Sequence, residues 1–141
     1  FSAKKRWYEY KIINRRPPLT IDINRAWCVY KNLDIEKMKS ESASFLGKHD
    51  LNAFRSAHCQ SKNSIKTIDS ISIRNKDEKI IFEISAKSFL HSQVRIMIGT
   101  LVDIAKGNIN KTILEIINSK QREIAGQTAP AHGLYLKRIE Y

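Results

Sequence analysis

Residues 88–106, SFLHSQVRIMIGTLVDIAK, constrain the fold of this chain more than any other stretch. Wound at 3.6 residues per turn, they bring Leu90, Val94, Met97, Ile98, Leu101, Ile104 and Ala105 onto one broad apolar face. A face that wide has to be covered, so the rest of the chain must pack around this helix. Ser88 is the expected N-cap, and Gly107 supplies a left-handed residue just past the end. Arg95 sits at the edge of the face, in an i, i+4 row with His91 and Gly99. Gly99 has no side chain, which leaves room for another segment or a ligand beside the guanidinium. Two readings of Arg95 stand side by side. Its stem could pack while its head reaches water, or it could be held half-buried to pair with a carboxylate or phosphate.

The flanking sequence predicts what covers the helix. Residues 6–13 are β-formers, with Tyr8, Tyr10 and Ile12 on one face and Trp7, Glu9 and Lys11 on the other. Pro17 and Pro18 then force an extended loop. Asp34 caps a helix that carries Ile35, Met38, Ser42 and Phe45 inward until Gly47, with Leu33 stapling to Met38. Residues 49–60 read as a turn of helix and a loop, and residues 66–74 and 79–86 as a β-hairpin. Asn110 caps a shorter helix to about Ser119, with Ile113, Leu114 and Ile117 inward. A loop holding Gly126, Pro130 and Gly133 leads to a last strand over residues 134–141. Hairpins and single strands between helices predict an α+β fold with a mainly antiparallel sheet and helices packed on it, in one domain.

Composition narrows the function. The 141 residues suffice for a real core, and no run of eighteen apolar residues or signal-peptide pattern is present. Cys28 and Cys59 form no CxxC, and the four histidines form no HExxH, so a reduced, cytoplasmic protein without metal is expected. Lys plus Arg total 25 against 14 Asp plus Glu, a formal charge of +11, which favours an anionic partner and nucleic acid first. Lys4, Lys5, Arg6, Lys11, Arg15 and Arg16 flank the rings of Trp7, Tyr8 and Tyr10, a mixture suited to phosphates with bases stacking nearby.

Four segments taken together carry a resemblance: FSAKKRWYEYKIIN, FLGKHDLNAFRSAHCQSK, FLHSQVRIMIGTLVDIAKGN and TAPAHGLYLKRIEY. In this order they resemble the C-terminal half of the catalytic region of the bacterial tRNA pseudouridine synthase A family. Ser92 and Gln93 depart from it, standing where the family often has another His and Met. The resemblance implies the pseudouridine synthase fold and an isomerase that converts uridine to pseudouridine in the tRNA anticodon stem-loop. It implies no cofactor and a homodimer that binds tRNA in a basic cleft. The family nucleophile is an Asp in an RTDAGVHA-type loop, and none of Asp22, Asp34, Asp50, Asp69, Asp77 and Asp103 has that context. The start at Phe1, without Met, also reads as part of a longer protein. A chain lacking its nucleophile is expected to be inactive alone, and a non-catalytic RNA-binding module of the same fold is the alternative.

By the same resemblance Tyr8 stacks on the target uracil, and Arg95 pairs with the missing Asp. Leu134 and Leu136, from GLYL, resemble the apolar wall of the uracil pocket, and alternation alone does not tell which of them faces in. Arg55, His58 and Gln60 resemble RNA-facing loop residues.

Overall fold

A computed structural model describes residues 3–15, 25–57 and 62–141. Its organising strand is β1 (Lys5–Asn14). The alternation expected there holds: Tyr10 and Ile12 are 1% and 0% exposed, and Tyr8 packs against the same core. One edge of β1 pairs antiparallel with β5 (Lys79–Ala86), from Arg6 opposite Ala86 to Ile13 opposite Lys79. Its other edge is shared. The first half pairs antiparallel with β6 (Leu134–Glu140), and the end pairs parallel with β2 (Trp27–Val29). Beyond β5 lie β4 (Ile65–Lys76) and β3 (Gly47–Asp50), giving the order β2-β1-β5-β4-β3 with β6 beside β1. The expected hairpin is β4–β5, turning at Asp77, whose φ of 56° is left-handed. All pairings but β1–β2 are antiparallel, and helices pack on the sheet, as the α+β reading requires.

Several boundaries differ from the sequence reading. Helix α1 (Ile35–Ser42) is capped by Asp34, which accepts from the Lys37 amide at 3.1 Å, but it stops five residues before Gly47. The Ser40 and Ser42 hydroxyls bond back to Lys37 O and Lys39 O, competing for helical carbonyls near its end. A single turn, Ala43–Phe45, then buries Phe45 against Phe54 at 5.1 Å between ring centres. Gly47 opens β3 at φ +92°. His49 and Asp50 are strand residues opposite Lys66 and Ile65, because the edge of β4 offers them partners; the helical turn comes later, at Asn52–Phe54.

Helix α2 (Gln93–Ala105) begins after Ser88. Residues 88–92 form a turn in which Ser88 accepts from Lys66 Nζ at 3.0 Å, and Ser92 precedes the helix at φ 60°. Buried Gln93 holds this start, its Oε1 accepting from the Leu90 amide at 2.8 Å. Every residue of α2 except Arg95 is buried. The helix is therefore enclosed on all sides, beyond the single face expected, and Gly107 closes it at φ +82°. Helix α3 (Ile113–Ser119) is capped by Thr112 and not by Asn110. Thr112 accepts from the Glu115 amide, and Glu115 accepts from the Thr112 amide, a reciprocal pair. Its inward residues are Ile113, Ile116 and Ile117 at i, i+3, i+4 spacing, which turns Leu114 outward at 51% exposure.

Candidate active site

A pocket of about 430 Å³ opens between β1, the turn at 88–92, the first turn of α2 and the start of β6. Its lining includes Arg6, Tyr8, Phe89, Arg95 and Leu134. Tyr8 reaches it because the alternation of β1 directs even-numbered side chains toward α2. The pairing with β6 breaks register beside it: Trp7 opposes Arg138 but Tyr8 opposes Leu136, so Lys137 is an extra residue on β6. Such a bulge bends a strand and re-aims the side chain next to it. Phe89 meets the Tyr8 ring edge-on at 5.4 Å and limits its tilt.

Arg95 is anchored from one side. Its Nε donates to Ala129 O at 2.7 Å, and the Ala129 amide donates to Arg95 O at 3.0 Å. Residues 126–133 thus run as a strap along α2. Gly99 lets the strap in: a Cβ there would lie 1.8 Å from Gln127 O. The segment that Gly99 was expected to admit is therefore backbone. Farther along, Thr100 Oγ1 accepts from the Gly126 amide at 2.9 Å, and the Asp103 carboxylate accepts from the Gln127 amide at 3.0 Å and from Gln127 Nε2 at 2.7 Å. At the near end Tyr10 donates its hydroxyl to Pro130 O at 2.6 Å, and Gly133 rests against the Tyr10 ring. Burial pushes the Tyr10 hydroxyl well above the ordinary phenol range, and the Arg95 charge offsets part of that rise. With Nε committed, the two terminal nitrogens of Arg95 form a fork for an anion. No carboxylate among the described residues forms an ion pair with it.

The pocket gathers Tyr8, Arg95, Leu134 and Arg6, whose Nη1 also donates to Lys87 O at 2.8 Å. Leu136 lies opposite Tyr8 but is half exposed and outside the lining. The other basic residues are dispersed. Lys5 and Lys11 alternate to the far face of β1, where Lys5 pairs with Asp69 at 3.8 Å and lies over Trp7, and Lys11 pairs with Glu9 at 3.8 Å and lies over Tyr135. Arg15 pairs with Glu78 at 3.7 Å, Lys4 is exposed and Arg55 is half-buried. Arg16, His58 and Gln60 lie outside the described residues. Sequence reasoning missed Phe89, Thr100 and Asp103, and it offered Tyr10 as an inward or stacking ring where the structure makes it a donor to the strap. The signal for the last two was the placement of Gly99, since a segment admitted there must be bonded by its neighbours on the helix.

Residues 42–141 match the family model described as tRNA pseudouridine synthase. The chain belongs to the tRNA pseudouridine synthase family. Among its relatives, the tRNA pseudouridine synthase A of Anaplasma phagocytophilum is 54% identical over 142 residues. That of Ehrlichia chaffeensis is 52% identical and that of Wolbachia pipientis from Culex pipiens 49%. Each comparison covers 100% of this chain and 58% of the relative, so the chain spans just over half the length of these synthases. The resemblance drawn from the four segments is borne out. Within this synthase-family chain, the matched residues contain Arg95, Leu134 and the whole strap, while Tyr8 lies in the stretch covered by the longer alignments to the relatives. Among the described residues, no helix is long and apolar enough to cross a membrane, and no group of three His, Cys, Asp or Glu side chains could hold a metal.

Proposed function

We propose that this chain is the C-terminal half of the catalytic region of a tRNA pseudouridine synthase, and that the complete protein converts uridine to pseudouridine in the tRNA anticodon stem-loop. The observation that carries this is the pocket itself: a ring, a leucine and an anchored arginine fork meet there, and no carboxylate among the described residues fills the fork. The reaction detaches a base from its sugar, rotates it and rejoins it through carbon, so both pieces must be held throughout. Tyr8 stacks on the flipped uracil and Leu134 walls it in. The nucleophilic Asp comes from residues outside this chain and pairs with the Arg95 fork. Beside apolar walls a carboxylate needs a fixed cation to stay ionised and aimed. Arg suits better than Lys because two nitrogens hold two oxygens and the charge is permanent.

The net charge of +11 supports tRNA as partner. Lys4, Lys5, Arg6, Lys11, Arg15, Arg16, Arg55, His58 and Gln60 are the residues offered to it. A cytoplasmic homodimer working without cofactor completes the reading. The test is Arg95→Met in the complete protein, assayed for pseudouridine formation and for tRNA binding. Removing one partner of a buried charge pair costs roughly 3–5 kcal/mol, so turnover should fall by hundreds or more while tRNA affinity stays near normal. Normal turnover would make Arg95 a mere surface arginine. A wild-type protein that binds tRNA without forming pseudouridine would establish the RNA-binding module instead.

A further inference from the structure

We propose that Asp103 is a positioning residue for Arg95, acting through residues 126–129; this rests on the role given to Arg95 above. Asp103 lies two turns along α2 from Arg95, near the opposite end of the helix, and touches neither the pocket nor the guanidinium. The residue is only 8% exposed, and no cation among the described residues forms an ion pair with its carboxylate. A buried charge without a counter-ion is costly unless its oxygens are bonded. Both are: Oδ2 takes the Gln127 amide at 3.0 Å and Oδ1 takes Gln127 Nε2 at 2.7 Å. Gln127 is therefore gripped at backbone and side chain by one group. Only a carboxylate can do this, because an amide in its place would set an NH₂ against one of two N–H donors.

What the grip holds in place is Ala129. The strap runs antiparallel to α2, with Gly126 at Thr100, Gln127 at Gly99 and Ala129 at Arg95. Ala129 O is the acceptor that fixes Arg95 Nε. A slide of the strap along the helix would carry that acceptor with it and swing the fork. Sliding is opposed at the near end by Tyr10 on Pro130 O, and at the far end by Thr100 and Asp103. Arg122 adds a hold on the strap from its outer side, its Nη1 donating to Gly126 O at 2.7 Å. Among these groups Asp103 makes two bonds to one strap residue, with charge-assisted strength.

The test uses the complete protein and tRNA at saturating protein, reading the single-turnover rate of pseudouridine formation, with tRNA affinity measured separately. The variants are Asp103→Asn, Arg95→Lys and the two combined. Misplacing a positioned group by about an ångström can cost up to a hundredfold in rate. Asp103→Asn should therefore slow the step about tenfold or more, with tRNA affinity changed less than about twofold. Lysine has no Nε to bond Ala129 O, so in the Arg95→Lys background the same change should cost less than about twofold further. Gln127→Met, at an exposed side chain, removes only the Nε2 bond and should show the same pattern at smaller size if Asp103→Asn fails to fold. Rates are taken per folded molecule, from circular dichroism at the assay temperature. Wild-type rate in Asp103→Asn and Gln127→Met, or equal losses in both backgrounds, would overturn the positioning role. Full activity of Arg95→Lys would sink the assignment of Arg95 itself, and the proposal with it.

Discussion

Gly99→Ala sets two effects of opposite sign against each other. In an exposed helix the change is favourable by about 1 kcal/mol, because alanine has the better helix propensity. Here the added Cβ would sit 1.8 Å from Gln127 O, 2.8 Å from Gln127 C and 3.2 Å from the Ala129 nitrogen. Ordinary contact starts near 3.4 Å, so the strap must retreat by roughly 1.5 Å. The obstacle is backbone and cannot rotate away. Overpacking of this kind costs roughly 1–3 kcal/mol. The retreat also strains bonds made at 2.7–3.0 Å: Arg95 Nε to Ala129 O, the Ala129 amide to Arg95 O, and the Gln127 amide to Asp103. Two of them lost, at about 1 kcal/mol each, bring the expected net loss to about 2–4 kcal/mol. For a chain of this size that lowers Tm by roughly 8–15 °C. Urea unfolding should show a lower midpoint at unchanged slope. A Gly99→Ala protein as stable as wild type would mean that the strap does not lie against α2 as described.

Tyr10→Phe should cost about 1 kcal/mol at neutral pH through the lost bond to Pro130 O. Because the folded hydroxyl is held above its ordinary value of 10.0, wild-type stability falls as pH rises past about 10, where the unfolded chain releases a proton the folded chain keeps. The variant lacks that loss, so the Tm gap should narrow between pH 9 and 11, and a constant gap would refute the burial argument. Thr112→Ala should cost about 1 kcal/mol by uncapping α3, whereas Asn110→Ala should be neutral in the same melting experiment. The Thr112 amide, and after it the hydroxyl, hold the Glu115 carboxyl below its ordinary 4.5; Thr112→Ala removes only the hydroxyl, so NMR titration should find Glu115 moved part of the way back up.

The local signals in this chain were strong where one neighbour decides the outcome. The alternation of residues 6–13, the Asp34 cap, the β4–β5 hairpin and the glycine after α2 were all legible, because each depends on residues a few positions away. Arg95 stands out by its place at the edge of the apolar face, with Gly99 beside it, while the roles of Tyr8 and Arg95 follow from the four-segment resemblance. Where two competent residues stood close together, the sequence could not choose. Ser88 and Asn110 are good caps by type, yet residues 88–92 are bent into a turn around buried Gln93, and Thr112 wins through its exchange with Glu115. The expected inward face includes Leu114, which lies outward, because a helix face reads a residue off when its cap is set two residues too early.

What only the tertiary structure decided was the company each residue keeps. Alternation along β1 puts Arg6 at the pocket and Lys5 and Lys11 behind the sheet, where carboxylates and rings occupy them. The choice between Leu134 and Leu136 depends on where the lining of the pocket ends, which no pattern along β6 encodes. The strap is the clearest case. Residues 126–129 bond helix residues 24 to 34 positions away in sequence, and the place of the strap along α2 is set by those hydrogen bonds to Arg95, Thr100 and Asp103 and by the space left at Gly99. Sequence periodicity reports which side of an element is apolar. It carries no information about which distant backbone will lie against that side, because that is settled by shape and by the pairing of buried polar groups once the chain has closed.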